Sequence, residues 1–419
     1  MSNTYDASSS LIFSPSNQLL GGTIPGLIFH STDPTLTDLS FVDDVIETFP
    51  YAVSAQEFLS AIVTLVSERQ AEFSDETRFA RLIILVKKWI DSQFVRDFHG
   101  RPDFQQELAA MVQRTIAPRS AAAAASLTSL VSSKKSEGSN KEIAVSGEAP
   151  SPRLPPTNAA FLSLLDVDPV EMARQLSLIE YAAFRRVETA EFLGQGWTKR
   201  DKALRSPNIM RVIERFNRVS MWVQTSVLAE RDRIGRALVI RRLINVATEC
   251  RTLGNFNAVF EIMSGLNGSA VRRLKASFAA LTEEDQERFA SLNTLIAGDN
   301  NFNGYRSELM KHGMPAVPYL GTFMSDLTFT EDGNPAFRDH PDAPEGERIL
   351  NVTRCRMVCR ILSAIKKYQD AVYNFTPVPV VQDLVSNSFY IDDEERLYKI
   401  SLALEPRGAD WSADTRRLR

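Results

Sequence analysis

The chain has 419 residues, of which 44% are hydrophobic and 24% charged, a composition typical of a soluble globular protein with two or three domains. Its formal net charge of −4 argues against a general nucleic-acid-binding protein, because such a protein needs a basic surface to displace counterions. There is no run of about 18 apolar residues and no signal-peptide pattern, so we expect a cytoplasmic protein without a transmembrane helix.

The N-terminal part divides into a polar lead and a helical domain. Residues 1–17 are serine-rich, and we expect a disordered lead. Residues 18–117 are predicted to form a compact helical domain. Ser54 and Glu57 form a capping-box pattern at the start of one helix, and 76–98 carries a second wide apolar stripe. We expect the two stripes to pack on each other and on the larger domain that follows. The stripe positions are Phe58, Ile62, Leu65 and Val66 in the first helix and Phe79, Leu82, Ile83, Val86, Trp89 and Ile90 in the second.

Residues 118–156 differ in composition from the segments on either side. Small and polar residues dominate, and prolines cluster at the end. Such a segment cannot bury enough apolar surface to offset its loss of entropy on ordering, so it is predicted to be a linker. A short alanine-rich helix near 120–131 would be marginal in isolation.

The large block at 157–407, followed by a tail at 408–419, is a succession of helical stripes. It shows neither the strand–helix alternation of a parallel sheet nor a repeat of 30–45 residues. The predicted fold class is therefore all-α.

Enzyme motifs are missing from the sequence. There is no G-x-x-x-x-G-K-[ST], no H-E-x-x-H and no G-x-S-x-G, and the four histidines are scattered. Cys355 and Cys359 are spaced to share a helix face, but the two further ligands of a structural zinc are lacking. We predict no cofactor and no metal. A large helical domain without a reaction centre indicates that the surface works by binding a protein.

A series of segments in the large block occurs in the order and with the spacing of a known family. They are DPVEMARQLSLIEYAAFRRVETAEFL at 168–193, SPNIMRVIERFNRVSMWV at 206–223, LGNFNAVFEIMSGLNGSAVRRLKASF at 253–278, NNFNGYRSELMKHGMPAVPYLGTFMSDLTFTEDGNP at 300–335, ILNVTRCRMVCRILSAIKKYQ at 349–369 and LYKISLALEPR at 397–407. Together they resemble the catalytic domain of Ras-type guanine nucleotide exchange factors, the RasGEF family that includes Son of sevenless. The N-terminal segment GGTIPGLIFHST at 21–32 and the helices after it resemble the Ras exchanger motif that accompanies this domain.

The resemblance implies a protein that opens a small GTPase so that GDP leaves, without covalent chemistry. A helical hairpin, whose second helix is 349–369, wedges between the two switch segments of the GTPase. Because nucleotide phosphate and Mg²⁺ order these switches, stabilising an open arrangement weakens nucleotide binding. The implied partner is a Ras-family small GTPase of Ras, Rap or Ral type. The membrane is reached only indirectly, through the GTPase or an unidentified adaptor.

The resemblance also assigns roles on the hairpin. Ile361 matches the apolar residue that intrudes where Mg²⁺ sits; the alternative is a core residue on a stripe with Val358 and Ile365. The family often has a glutamate about one turn further on, where this chain has Ala364. This departure favours a competing hypothesis, a non-catalytic scaffold that binds a GTPase without opening it. A third hypothesis is a helical adaptor that never contacts a GTPase.

Other positions are expected to contact the GTPase directly. Arg242 aligns with a basic residue facing the partner, with a solvated face as the alternative. Phe289 and Val352 fall near positions that bury an aromatic residue of switch II, with a pure core role as the alternative. The remaining expected contacts are Asn300, Tyr305 and Arg306, in a loop-and-helix patch whose alternative is a solvated surface, and Met357 and Ile365 on the hairpin helix.

Overall fold

A computed structural model describes residues 4–6, 10–137, 147–155 and 162–408. Helices account for most of these residues, which confirms the predicted all-α class. None of the helices in this part of the chain is both long and apolar enough to span a membrane. The α-helices are α1 (Ile24–Ser31), α2 (Ser40–Thr48), α3 (Ala55–Glu68), α4 (Gln70–Phe73), α5 (Glu76–Gln93), α6 (Pro102–Met111), α7 (Ala121–Glu137), α8 (Pro169–Arg185), α9 (Lys202–Arg205), α10 (Pro207–Ala229), α11 (Arg233–Thr252), α12 (Phe256–Asn267), α13 (Ser269–Arg272), α14 (Lys275–Ala279), α15 (Glu283–Ile296), α16 (Asp299–His312), α17 (Leu320–Gly333), α18 (Val352–Gln369), α19 (Pro379–Asn387) and α20 (Glu394–Leu404).

The chain divides into two compact units that do not follow the predicted domain boundaries. The first unit contains residues 1–142, 188–199 and 324–364, and the second contains the rest. The sequence predicts instead two continuous domains at 18–117 and 157–407. The difference arises in part because a strand within 324–364 pairs with the N-terminal part in a small β-sheet.

This sheet has five antiparallel strands in the order β1-β2-β3-β5-β4. Its strands are β1 (Thr4–Asp6), β2 (Leu11–Phe13), β3 (Leu19–Gly22), β4 (Phe337–Arg338) and β5 (Ile349–Asn351). Each strand is only two to four residues long, so none shows a measurable alternation of apolar and polar residues. The expected disordered lead at 1–17 is corrected: its described residues include β1 and β2.

Two glycines of β3 leave room for neighbouring elements. Gly21 lies opposite Asn351 and Gly22 opposite Leu350. A Cβ at Gly21 would lie 3.0 Å from the backbone oxygen of Leu350 in β5, whereas one at Gly22 would overlap the side chain of Leu11 in β2. A larger residue at Gly21 would therefore move β5 away from β3, and one at Gly22 would displace Leu11.

An aromatic cluster forms the core of the first unit. Phe49 and Phe58 stack with ring centroids 4.1 Å apart, and Trp89 meets Phe58 edge-on at 5.0 Å. The Trp89 indole donates a 2.6 Å hydrogen bond to the carboxylate of Asp97.

The capping box of Ser54 is confirmed. The predicted stripes are buried, with Val66 and Ile83 half-buried at their edges.

Part of the predicted linker is helical. Within 118–156, residues 121–137 form α7, and its Ala124 and Leu127 are each 2% exposed in the core of the first unit. Alanine favours a helix, and tertiary packing supplies the stability that such a helix lacks in isolation. The rest of the predicted linker, and the tail at 408–419, fall largely outside the described residues.

Four helices, α8, α10, α11 and α12, pack together at the centre of the second unit. Gly265 permits a close approach of α12 to α10. A Cβ at this position would lie 2.6 Å from the side chain of Val223 and 2.7 Å from the carbonyl oxygen of Ser220.

Candidate functional site

The helix α18 has a buried face and an exposed face. Val358 and Ile365 are fully buried, whereas Met357 is 37% exposed. Ile361 is half-buried and lies at the boundary between the two faces. Its side chain therefore lies at the edge of the buried stripe and is only partly covered.

Ala364 is also half-buried, and no acidic residue accompanies it on α18. The sequence of this helix, VTRCRMVCRILSAIKKYQ, contains neither Asp nor Glu. Its charged residues are all basic, namely Arg354, Arg356, Arg360, Lys366 and Lys367. This helix therefore offers no carboxylate that mimics a phosphate.

Side chains within the first unit fix the start of α18. The Asn351 side-chain oxygen accepts a 2.9 Å hydrogen bond from Arg338 Nε, and its amide donates a 2.9 Å bond to the carbonyl of Pro335. Leu350, Val352 and Cys355 belong to the hydrophobic core of this unit. Val352, an expected GTPase contact, is only 2% exposed and is therefore a core residue in this conformation.

Glu331 on α17 joins three segments of the first unit. Its carboxylate accepts hydrogen bonds from the Tyr51 hydroxyl and, at 3.1 Å, from the backbone N–H of Gly194. Arg354 of α18 lies 3.6 Å from the same carboxylate, and its guanidinium stacks 4.7 Å from the centre of the Tyr51 ring. Burial and the neighbouring Glu331 charge raise the pKa of Tyr51, so its hydroxyl remains a donor. Sequence patterns did not reveal this junction, because its members are scattered along the chain.

Asp44 on α2 makes a second connection to α18. The Arg356 Nε lies 3.8 Å from its carboxylate, and the Cys359 thiol donates to its backbone carbonyl at 3.8 Å. Burial raises the pKa of Asp44. Burial also raises the pKa of Cys359, and the pKa of Cys355 to about 11, so both cysteines remain neutral thiols.

In the second unit, the Arg242 side chain forms hydrogen bonds with backbone carbonyls. Its guanidinium donates hydrogen bonds to the carbonyls of Val167, at 2.7 Å, and Leu165, at 2.9 Å. The side chain is half-buried. Arg242 thus holds the 3₁₀ turn Leu164–Asp166 against α11, whatever else it contacts.

Phe289 lines a cleft of about 530 Å³ in the second unit. The guanidinium of Arg272 lies 5.2 Å from the ring centres of both Phe278 and Phe289. The two rings are 5.3 Å apart and tilted by 42°. Phe289 is only 6% exposed, and the cleft that it lines is mixed, with Arg272, Gln286 and Asn293 beside the two rings.

The three expected contacts on α16 have different environments. Asn300 is exposed and Arg306 half-buried, whereas Tyr305 is fully buried. The Tyr305 hydroxyl accepts a 2.8 Å hydrogen bond from the backbone N–H of Tyr319, and burial raises its pKa. Tyr305 therefore lies in the core beneath the more exposed Asn300 and Arg306 and does not form part of the surface. Ile365, also fully buried, is not available for a direct contact in this conformation.

Helix packing brings some of these positions together within the second unit. Arg242 lies on α11 and Phe289 on α15, and Arg251 of α11 contacts both α15, at Ser291, and α16, at Glu308. By contrast, Val352, Met357, Ile361 and Ala364 lie in the first unit.

The second unit contains a buried pair of carboxylates that the sequence patterns did not predict. Glu180 on α8 and Glu261 on α12 are 2% and 0% exposed. The Asn257 amide donates to both, at 3.0 and 2.9 Å, and Arg215 forms an ion pair with Glu180 and interacts electrostatically with Glu261. Burial first, and then the charge of Glu180, raise the pKa of Glu261 well above its ordinary value. The available signal was an acidic residue inside an apolar helix, NAVFEIMSGL.

Comparisons with known proteins agree with this architecture. Residues 171–356 match the family model of the RasGEF domain. Ras guanine nucleotide exchange factor A of Dictyostelium discoideum is 30% identical over 404 residues, which cover 92% of this chain and 65% of that protein. Ras guanine nucleotide exchange factor P of the same organism is 37% identical over 270 residues, covering 64% of this chain but only 17% of that protein. Ras-specific guanine nucleotide-releasing factor 1 of Rattus norvegicus is 36% identical over 239 residues, covering 57% of this chain and 19% of that protein. The chain thus spans less than two thirds of the length of each of these relatives.

Proposed function

Because the chain contains a RasGEF domain, we propose that it is a guanine nucleotide exchange factor that promotes GDP release from a Ras-family small GTPase. The names of the relatives support an exchange factor for this class of partner. The proposal includes no covalent step. The protein would lower the barrier to nucleotide dissociation by binding the open form of the GTPase more tightly than the closed form.

Ile361 is the proposed wedge. The observation that carries this assignment is the half-buried position of Ile361 beside the exposed Met357 on α18. An apolar side chain at this position can enter a partner while the helix remains anchored by its buried face. By reciprocal coupling, bound nucleotide must weaken the binding of the exchange factor by the same factor.

The first unit is proposed to act as the support of α18, in the role of a Ras exchanger motif. Its contacts through Glu331, Asp44 and Asn351 hold the first turns of α18 in a single orientation. Preorganisation of this kind lowers the entropic cost of inserting the helix into a partner.

A second candidate function is a scaffold that binds a Ras-family GTPase without opening it. The absence of any carboxylate from α18 favours this alternative. The family's hairpin often carries a glutamate where this chain has Ala364, so a helix without acidic residues would bind the GTPase but leave its nucleotide in place. The Ala364→Glu substitution distinguishes the two functions.

The test is release of fluorescent GDP from purified Ras, Rap and Ral proteins, together with binding to the same proteins without nucleotide. An exchange factor accelerates release from at least one panel member. A scaffold binds the nucleotide-free form but leaves the release rate at its intrinsic value, and Ala364→Glu then increases release. Absence of both binding and release would reject both functions.

A further inference from the structure

Three consecutive residues at the start of α16 have left-handed backbone conformations. The φ angles of Asn300, Asn301 and Phe302 are 49°, 57° and 58°. In this region the Cβ of any L-residue lies close to the following carbonyl oxygen, and asparagine tolerates this because its short side chain forms local hydrogen bonds. A phenylalanine in this region is uncommon, and three such residues in a row require other contacts to hold them.

Arg306, one turn further along α16, makes contacts of this kind. Its Nε donates a 2.8 Å hydrogen bond to the backbone carbonyl of Asn301, and its Nη2 donates a 3.3 Å bond to the side-chain oxygen of the same residue. The planar guanidinium thus forms hydrogen bonds with both the backbone and the side chain of Asn301, the middle residue of the turn. Phe302 is held separately, with its ring 6.0 Å from that of Phe260 and 6.4 Å from that of Tyr319.

We infer that Arg306 is a positioning residue, which holds the left-handed turn so that the exposed Asn300 is presented to the GTPase. This inference rests on the proposed function, and it replaces the expected direct contact of Arg306 with an indirect role. A turn that is ordered before binding loses less entropy when its side chains engage a partner. Loss of the two hydrogen bonds from Arg306 to Asn301 should therefore weaken GTPase binding without unfolding the domain.

The experiment compares Arg306→Met with Lys311→Met in the full chain. Lys311 is an exposed residue of the same helix, so its substitution removes one positive charge and serves as the matched control. Arg306→Met should weaken binding of a nucleotide-free Ras-family GTPase about tenfold, which corresponds to about 1.4 kcal/mol. It should leave the melting temperature unchanged and increase hydrogen exchange at 298–303. Lys311→Met should change neither affinity nor exchange at these amides.

A second substitution distinguishes positioning from direct contact. Asn301→Gly removes the side-chain acceptor of Arg306 and gives the turn more backbone freedom, so on its own it should also weaken affinity. If Arg306 acts through this turn, adding Asn301→Gly to Arg306→Met should weaken affinity little further. Fully additive losses from the two substitutions, or an Arg306→Met defect without faster hydrogen exchange at 298–303, overturn the inference. If the wild type neither binds nor opens any GTPase, the proposed function fails instead, and hydrogen exchange still tests whether Arg306 holds the turn.

Discussion

The carboxylate of Glu331 accepts a hydrogen bond from the hydroxyl of Tyr51, which lies 280 residues earlier in the chain. Glu331 also pairs with Arg354 on α18. This relationship connects the N-terminal segment to the helix that carries Ile361, entirely within the first unit. The orientation of α18 therefore depends on residues that a catalytic segment taken alone would lack.

The Tyr51→Phe substitution tests this connection. Removing the hydroxyl leaves a buried carboxylate with one fewer donor, which should cost about 1–3 kcal/mol of unfolding free energy. The melting temperature should fall, and GDP release should slow because α18 is held less firmly. Tyr398→Phe is the control, since its hydroxyl accepts a hydrogen bond from Arg407 on an exposed surface. Equal melting temperatures for the two variants would show that the Tyr51 hydroxyl contributes nothing.

The buried pair of Glu180 and Glu261 predicts a specific pH dependence of stability. Because burial and the adjacent Glu180 raise the pKa of Glu261, the folded protein retains a proton that the unfolded chain releases near the ordinary glutamate pKa of about 4.3. The free energy of unfolding is therefore highest at low pH, where Glu261 is protonated in both states. It falls as the pH rises from the unfolded pKa to the folded pKa of Glu261. Glu261→Gln should abolish this loss, so its stability relative to the wild type should increase with pH by up to about 1.4 kcal/mol per unit.

Thermal or denaturant unfolding between pH 5 and pH 8 measures this difference. The control is Glu283→Gln, which alters an exposed carboxylate at the start of α15 and should follow the wild-type curve. Parallel curves for Glu261→Gln and the wild type would mean that Glu261 ionises as readily in the folded chain as in the unfolded one.

Arg242→Ala tests whether this arginine steers the GTPase or supports the fold. The two hydrogen bonds to the carbonyls of Leu165 and Val167 predict a lower melting temperature, by an amount equivalent to about 1–3 kcal/mol. Any defect in GTPase association should persist at high salt, because it follows from a displaced turn. An unchanged melting temperature together with a defect that disappears at high salt would assign Arg242 to electrostatic steering.

Local features of the fold could be predicted from the sequence. The capping box of Ser54 and the apolar stripe of α5 depend on residues within a few turns of one another, and both are confirmed. The pairing of Gly22 with Leu350 could not be predicted in this way, because it joins strands of three or four residues that are far apart in the chain. Packing of the apolar stripes on the larger domain stays a prediction.

The candidate site was predictable only to the level of its elements. The resemblance placed Ile361 and Met357 on one helix, and the structure puts both near its exposed face. It did not distinguish Tyr305, which is fully buried, from the exposed Asn300, because a sequence motif carries no information on which residue faces the core. Glu261 was missed since its partners come from three other positions in the chain.

A matched pair of isoleucines separates function from stability on α18. Ile361→Ala removes a half-buried side chain, and its melting temperature should barely change. Ile365→Ala removes a fully buried side chain one turn away and should lower the unfolding free energy by about 2–5 kcal/mol. If both variants melt equally early, Ile361 is a core residue and its assignment as the wedge is wrong.

The rate of GDP release from a Ras-family GTPase, measured with the wild-type chain and with Ile361→Ala, tests the proposed exchange activity and its wedge together. The wild type should accelerate release, and Ile361→Ala should lose most of this acceleration while remaining folded. A folded Ile361→Ala protein that stimulates GDP release as strongly as the wild type would rule out Ile361 as the wedge.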